Sequence, residues 1–214
     1  ITRCIKKFQI DCFWDVGANI GQTGESIRKH GYTGNILSFE PQEEAYKKLL
    51  KNSFNDPKWK IYEKCGLGQN GFKKINISKN SVSSSFLEME NLHIDKNPES
   101  KFIKKEEVKI ISLNEVFNKE KNSFKKNFLK IDTQGYEKEV LDSGENILDN
   151  FIGISCEISV QPLYKNEAKF LDIINYLNTK GFEIYSVHNS YYEIDYGQTF
   201  SVDIVFIKKD LFIK

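Results

Sequence analysis

One recurring pattern constrains this chain most: a short apolar run, a carboxylate where the run ends, and then a helical stretch or turn. Residues 12–16 (CFWDV) lead out through Asp15 and Gly17, and 35–39 (NILSF) end at Glu40. Residues 128–131 (FLKI) end at Asp132, and 152–156 (IGISC) end at Glu157. Apolar runs this short, bounded by turn signals, read as strands buried on both faces. Helical stretches are expected up to about His30, from Pro41 onward with Ala45, Leu49 and Leu50 inward, over 134–141, and over about 167–180 with Phe170, Leu171, Ile174 and Leu177 on one face. Strands alternating with helices imply a parallel sheet covered by helices on both sides. Segments 58–64, 72–78 and 107–111 read as further strands, 112–118 as a short helix, and 88–101 as an irregular polar stretch. The last two strand-like runs, 182–187 and 201–207, are joined by a polar, tyrosine-rich loop without a helix, which predicts an antiparallel final pair. No linker or repeat divides the 214 residues, so the expectation is a single α/β domain over 1–214.

Composition removes several classes. Lys+Arg 31 against Asp+Glu 30 gives a net charge of +1, so there is no global field for nucleic acid or an anionic membrane. No apolar run is long enough to span a bilayer and no charged-then-apolar leader opens the sequence, so it reads as cytoplasmic, without stable membrane insertion. Cys4, Cys12, Cys65 and Cys156 are never spaced C-x-x-C, which suits reduced, buried thiols rather than a zinc or redox site.

In open parallel sheets, ligands bind outside the carboxyl ends of the strands. Asp15-Val-Gly17-Ala18-Asn19-Ile-Gly21 leaves the first strand; Gly17 permits a tight turn and Gly21 a close backbone approach. Glu40 follows 19 residues after Gly21, where a carboxylate can accept hydrogen bonds from ribose hydroxyls. A dinucleotide loop would need glycines at the positions of Asn19 and Gln22, which disfavours a nicotinamide dehydrogenase. No G-x-x-x-x-G-K-[ST] loop is present either, so a nucleoside without phosphates suits the loop better.

Phe13-Trp-Asp-Val-Gly-Ala-Asn-Ile-Gly-Gln22, Ser38-Phe-Glu-Pro41, Ser83-Ser-Ser-Phe86, Leu129-Lys-Ile-Asp-Thr-Gln-Gly-Tyr-Glu137 and Glu157-Ile-Ser159 resemble the FkbM family of S-adenosylmethionine-dependent methyltransferases. The resemblance runs from about Phe13 to Phe206 and is most specific over Lys130–Glu137. It implies the Rossmann-like class I methyltransferase fold, with seven mostly parallel strands and the last antiparallel. It also implies that Asp15, Gly17, Ala18, Asn19 and Gly21 line the methionine part of the cofactor and that Glu40 holds the ribose beside Pro41. Cys65, Gly66 and Leu67 would lie at the adenine.

Methyl transfer is an in-line displacement, so alignment of the acceptor is a large part of catalysis. A hydroxyl acceptor also benefits from a base or a metal. Asp132 is the first candidate base, with Glu157 and His93 as further catalytic candidates. Asp132 and Glu157 could instead hold a divalent cation, but no third ligand is evident and metal is not favoured. His30 reads as a helix-end cap, and His188 lies in the loop before the last strand. Ser83, Ser84 and Ser85 are expected near cofactor or acceptor. Glu137 suits a helix start. Tyr164, Tyr191, Tyr192 and Tyr196 read either as a stacking surface for the acceptor or as half-buried loop aromatics. Neither a [DN]-P-P-[YF] motif nor a Pro-Cys nucleophile is present, which disfavours adenine, amide and cytosine acceptors. The resemblance points to hydroxyls of sugars, polysaccharides, glycolipids or secondary metabolites. The alternative is a non-catalytic cofactor-binding module of a glycan-synthesis assembly, against which the intact Asp15, Glu40 and Asp132 count.

Overall fold

The computed structural model describes residues 1–120 and 123–212. The chain begins α1 (Thr2–Lys7), β1 (Cys12–Val16), α2 (Gln22–Lys29), β2 (Asn35–Phe39), α3 (Glu43–Ser53) and β3 (Trp59–Ile61). It continues β4 (Gly66–Leu67), β5 (Gly71–Ser78), α4 (Asn91–Lys96), β6 (Phe102–Ile111), α5 (Leu113–Glu120) and β7 (Asn127–Ile131). It closes with α6 (Glu137–Ser143), β8 (Phe151–Ser159), α7 (Phe170–Thr179), β9 (Phe182–Tyr192) and β10 (Thr199–Lys208).

The main sheet has seven strands in the order β3-β2-β1-β7-β8-β10-β9. β1 lies parallel between β2 and β7, β7 is parallel to β8, and β10 is antiparallel to both β8 and β9. The strand order therefore reverses between β1 and β7, the switch point at which such sheets open a crevice. Every residue of β1 and of β7 is buried. Successive side chains on a strand point to opposite faces, so Phe13 and Trp14 enter different cores. Phe13 stacks on Phe128 under α2 and α3, whereas Trp14 packs on Phe39, Phe117 and Phe151 under α5 and α6. The Trp14 indole N–H is satisfied by Asn127 Oδ1 at 3.0 Å.

Several elements depart from the sequence reading. Segments 72–78 and 107–111 leave the main sheet and pair antiparallel as β5 and β6, with β4, in a separate three-stranded sheet. The polar stretch 88–101 contains α4. β8 does not stop at Glu157: β10 goes on pairing with it through Ser159 after β7 has ended opposite Cys156. Glu157 therefore sits inside a strand. β9 likewise runs to Tyr192, so Tyr191 and Tyr192 are strand residues. Leu50 and Leu171 are exposed, each turned about 100° away from a neighbouring inward position. Among the described residues, no helix is long and apolar enough to cross a membrane.

Candidate active site

The carboxyl ends of β1, β2, β7 and β8 border a cavity of about 350 Å³, within the size range of small-molecule sites. One wall is the loop after β1. Gly17 and Ala18 both donate backbone N–H groups to Phe39 O, at 3.1 and 3.0 Å, which folds the loop over the end of β2. Gly17 has φ +76°, and a Cβ there would stand 1.9 Å from the backbone oxygen of Asp132. Asn19, at φ +48°, bends its side-chain oxygen onto the Ile20 N–H at 2.9 Å, a local bond that suits this conformation.

Gly17, Ala18, Asn19, Glu40, Pro41, Cys65, Gly66 and Asp132 all line the cavity. Asp15 and Gly21 do not. Asp15 is fully buried in β1 with Lys130 Nζ at 3.2 Å; burial pushes its carboxyl upward against the pull of that lysine. Gly21 opens α2, and a Cβ there would press Leu49 and Trp59 at 3.0 Å, so its smallness serves packing against α3 and β3. Cys65 is wholly buried, and burial pushes its thiol up to about 12.

Glu40 is anchored through both oxygens: Oε2 accepts the Asn19 N–H at 2.7 Å and Oε1 the Gln42 N–H at 2.8 Å. Burial raises its carboxyl to about 7, opposed by these two bonds. Each oxygen keeps a lone pair for a second donor. Ser84 Oγ donates to Gln42 Oε1 at 3.0 Å, and Gln42 Nε2 to Ser81 O at 3.1 Å, so the serine run is fastened beside Glu40. Ser83 and Ser84 line the cavity and are buried, not a flexible loop.

Asp132, Glu157 and His93 line the same cavity. Asp132 Oδ2 lies 3.3 Å from Lys130 Nζ, and its Oδ1 accepts from Gln134 Nε2 at 2.9 Å. Burial works to raise this carboxyl, but Lys130 and Gln134 outweigh it and hold Asp132 below the usual carboxylate range. Glu157 accepts from Gln134, Ser190 and Ser201; burial, with Asp132 beside it, pushes its carboxyl well up.

His93 is not an exposed loop residue. It sits on α4, buried, with its ring edge-on to Tyr164 at 5.3 Å and tilted on Tyr191 at 5.8 Å. Among the described residues its Nδ1 has no partner, and burial lowers the ring to about 4, which keeps it neutral. Tyr191 lines the cavity, Tyr164 is buried behind it, and Tyr192 and Tyr196 face solvent. His188 bonds Ser186 on an exposed face, and His30 caps its helix through Ser26 O. Glu137 does more than open α6: its Oε1 accepts from Thr133 N, Thr133 Oγ1 and Gly135 N, which ties the whole turn together.

Among the described residues, no group of three His, Cys, Asp or Glu is arranged to hold a metal ion. The sequence reading missed Lys130 and Gln42. The signal for Lys130 was present: a lysine within an apolar run buried on both faces needs anionic partners.

The seven-stranded sheet with one reversed strand opens at its switch point onto anchored acidic groups, and together with a family match this places the chain among the S-adenosylmethionine-dependent methyltransferases. Residues 15–184 match the Methyltransferase FkbM domain, and the chain belongs to that family. The fold resembles a magnesium protoporphyrin IX methyltransferase from Synechocystis PCC 6803 solved with S-adenosylmethionine (TM-score 0.54, 10% identity, 97% of this chain and 74% of that one). It also resembles a putative tRNA (m1A22) methyltransferase of Streptococcus pneumoniae in complex with S-adenosylmethionine (0.54, 13%, 100% and 74%). A third similar fold is the fibrillarin pre-rRNA processing protein of Methanococcus jannaschii (0.51, 11%, 94% and 67%). At these identities the likeness is one of fold. No curated protein matches the sequence.

Proposed function

We propose that this chain transfers a methyl group from S-adenosylmethionine to a hydroxyl of a sugar, polysaccharide, glycolipid or secondary metabolite. The observation that carries this reading is one cavity joining the anchored Glu40 carboxylate to Asp132, Glu157 and His93. The residues suit the cofactor. Glu40 presents free lone pairs for ribose hydroxyls, Cys65, Gly66 and Leu67 offer an apolar wall for adenine, and the Gly17–Asn19 loop borders the methionine part. Among the described lining residues the only Lys or Arg is Lys130, and it is committed to Asp15 and Asp132. A phosphate would find no free cation here, which supports a nucleoside cofactor and an acceptor without phosphate, and counts against nucleic acid.

When bound, S-adenosylmethionine supplies an electrophilic methyl group on a cationic sulfur. The protein aligns the acceptor hydroxyl and takes its proton. Asp132, kept ionised by Lys130, accepts the hydroxyl as a hydrogen bond and then receives its proton on the carboxylate. Glu157 stays protonated and limits the charge at that end to one. His93, neutral, offers the acceptor a hydrogen-bonding ring nitrogen, and Tyr191 an apolar wall.

Calorimetric titration of S-adenosylmethionine and S-adenosylhomocysteine tests the cofactor end. Glu40→Ala should weaken both by about 5–150-fold, equivalent to about 1–3 kcal/mol of lost charge-assisted hydrogen bonds. Unchanged affinity removes the ribose role, and no binding by folded wild type removes the proposal. For the acceptor end, neutral glycosides incubated with enzyme and cofactor should yield methyl ethers by mass spectrometry. Methylation of nitrogen or carbon acceptors alone would refute O-transfer.

A further inference from the structure

The pair formed by Asp132 and Glu157 is held by a side chain to which the site reading gives no role. Gln134 Nε2 donates to Asp132 Oδ1 at 2.9 Å and to Glu157 Oε2 at 2.5 Å. An amide nitrogen carries two hydrogens, so one group spans both carboxyls and spends its full donor capacity on them. The other end of the same amide, Oε1, accepts the Tyr164 hydroxyl at 2.8 Å. Tyr164 is fully buried, and its hydroxyl also reaches Ser83 O at 3.1 Å. The Gln134 backbone is fixed as well: φ is +56°, and its carbonyl accepts Ser85 Oγ at 2.6 Å. A continuous hydrogen-bonded chain therefore runs from the serine run through Tyr164 and Gln134 to the two carboxyls.

We propose that Gln134, oriented by Tyr164, is the positioning residue that binds Asp132 and Glu157 into one pair sharing a single proton. This rests on the reading of that pair as the place where the acceptor proton goes. Two carboxyls joined by one amide repel as a dianion, so one of them keeps its proton. Lys130 selects Asp132 as the ionised member. Ser190 from β9 and Ser201 from β10 occupy Glu157 Oε1. The other titratable groups around the pair are Asp15 on β1, Asp203 on β10 opposite Glu157, His188 on β9, Glu137 at the start of α6, Glu167 beside Tyr164, and His93 on α4. None of them bridges the two carboxyls. With the Tyr164 hydroxyl gone, the amide is free to turn its oxygen toward the carboxyls, and the pair loses its common donor.

The test needs no acceptor. Side-chain carboxyls labelled with carbon-13 are titrated by NMR, with Glu157→Gln for assignment. In wild type, the two carboxyls should titrate as a coupled pair with one member protonated near neutral pH. Tyr164→Phe keeps the ring on His93 and should move the pair's apparent pKa values by about one pH unit. Gln134→Asn, which tolerates the left-handed backbone but is too short to span both carboxyls, should do the same. S-adenosylhomocysteine affinity of Gln134→Asn, which keeps the Tyr164–Ser83 bond in the serine run beside Glu40, should stay within about twofold. Two independent, ordinary carboxyl titrations in wild type would overturn the proposal, as would titrations unchanged in both variants. Absence of S-adenosylhomocysteine binding in wild type would instead strike the cofactor reading, and the titration would still report on the pair.

Discussion

Replacing Gly17 with alanine tests how the loop after β1 fits against the turn after β7. A Cβ at this position would meet the backbone oxygen of Asp132 at 1.9 Å and its carbonyl carbon at 2.9 Å. Neither partner is a flexible side-chain tip, so one backbone must move by more than about 1 Å to reach ordinary van der Waals contact. Both are tied down: Asp132 N donates to Val16 O at 3.0 Å, and the Gly17 and Ala18 N–H groups share Phe39 O. Giving up one buried backbone bond costs about 1–3 kcal/mol. Holding alanine in the left-handed region at φ +76° adds about 1–2 kcal/mol. Less the about 0.4–1 kcal/mol that any Gly→Ala change gains by stiffening the unfolded chain, the expected loss is about 1–5 kcal/mol, with loss of S-adenosylhomocysteine binding because the displaced backbone borders the cavity. Gly181→Ala is the control, since Gly181 has φ +83° and, among the described residues, nothing within 4 Å of its Cβ position. It pays the conformational cost alone, partly offset by about 0.4–1 kcal/mol from the stiffer unfolded chain, for a net loss of roughly 1 kcal/mol. Chemical denaturation of both variants with calorimetry on each decides the matter. Equal losses, with cofactor binding retained in Gly17→Ala, would show that the contact with Asp132 does not govern the loop.

His93, lowered by burial from 6.5 to about 4, binds fewer protons in the folded protein than unfolded across that interval. Its contribution to stability is complete above about pH 6.5 and is lost as pH falls toward 4, by at most about 3 kcal/mol. His93→Phe should flatten this acid limb of the denaturation profile, and parallel profiles for the two proteins would refute the assignment. Glu137 is shifted the other way, raised by burial from 4.5 to about 8. The folded protein prefers its protonated form, so its contribution is complete below about pH 4.5 and is lost as pH rises through 8. Glu137→Gln keeps an oxygen for Thr133 and Gly135 but cannot ionise. Its stability relative to wild type should climb by about 1 kcal/mol or more between pH 5 and 8, and a constant difference would contradict the shift.

How much of this was legible depends on where each wall of the cavity comes from. The wall proposed here for the cofactor is local in sequence: Gly17 to Asn19 directly follow β1, Glu40 directly follows β2, and a strand's carboxyl end fixes where the next residues stand. Strand periodicity and turn chemistry were enough to bring Gly17 and Glu40 to strand ends that border the cavity. Asp15 and Gly21 belong to the same run of sequence, yet the structure gives them other work. Asp15 lies within β1, buried beside Lys130, its register partner on β7; Gly21 is four residues past Gly17, where the chain has already turned into α2 and meets Trp59. A motif places residues near a site without saying which side of the backbone faces it.

The acceptor wall is long-range by construction. His93 comes from α4, inserted between two strands of the small sheet, while Glu157, Tyr191 and Ser201 come from β8, β9 and β10. No local spacing relates these residues. Glu157 stands beside Asp132 because β7 and β8 run parallel in the register Ile131–Cys156, whereas a residue count could not reveal that β10 prolongs β8 beyond that point. The same division has a functional reading. The cofactor wall is built from short turns at the switch point, where the fold leaves little freedom. The acceptor wall hangs on an insertion and an edge hairpin, whose lengths can change without disturbing β1, β2 or β7. Differences in acceptor between proteins of this fold are therefore expected to concentrate in α4 and in the β9–β10 hairpin. Transplanting the segment 88–101 from a family member of known acceptor should shift the acceptor while leaving S-adenosylhomocysteine affinity within about twofold, and a loss of cofactor binding on that exchange would show the two walls are not separable.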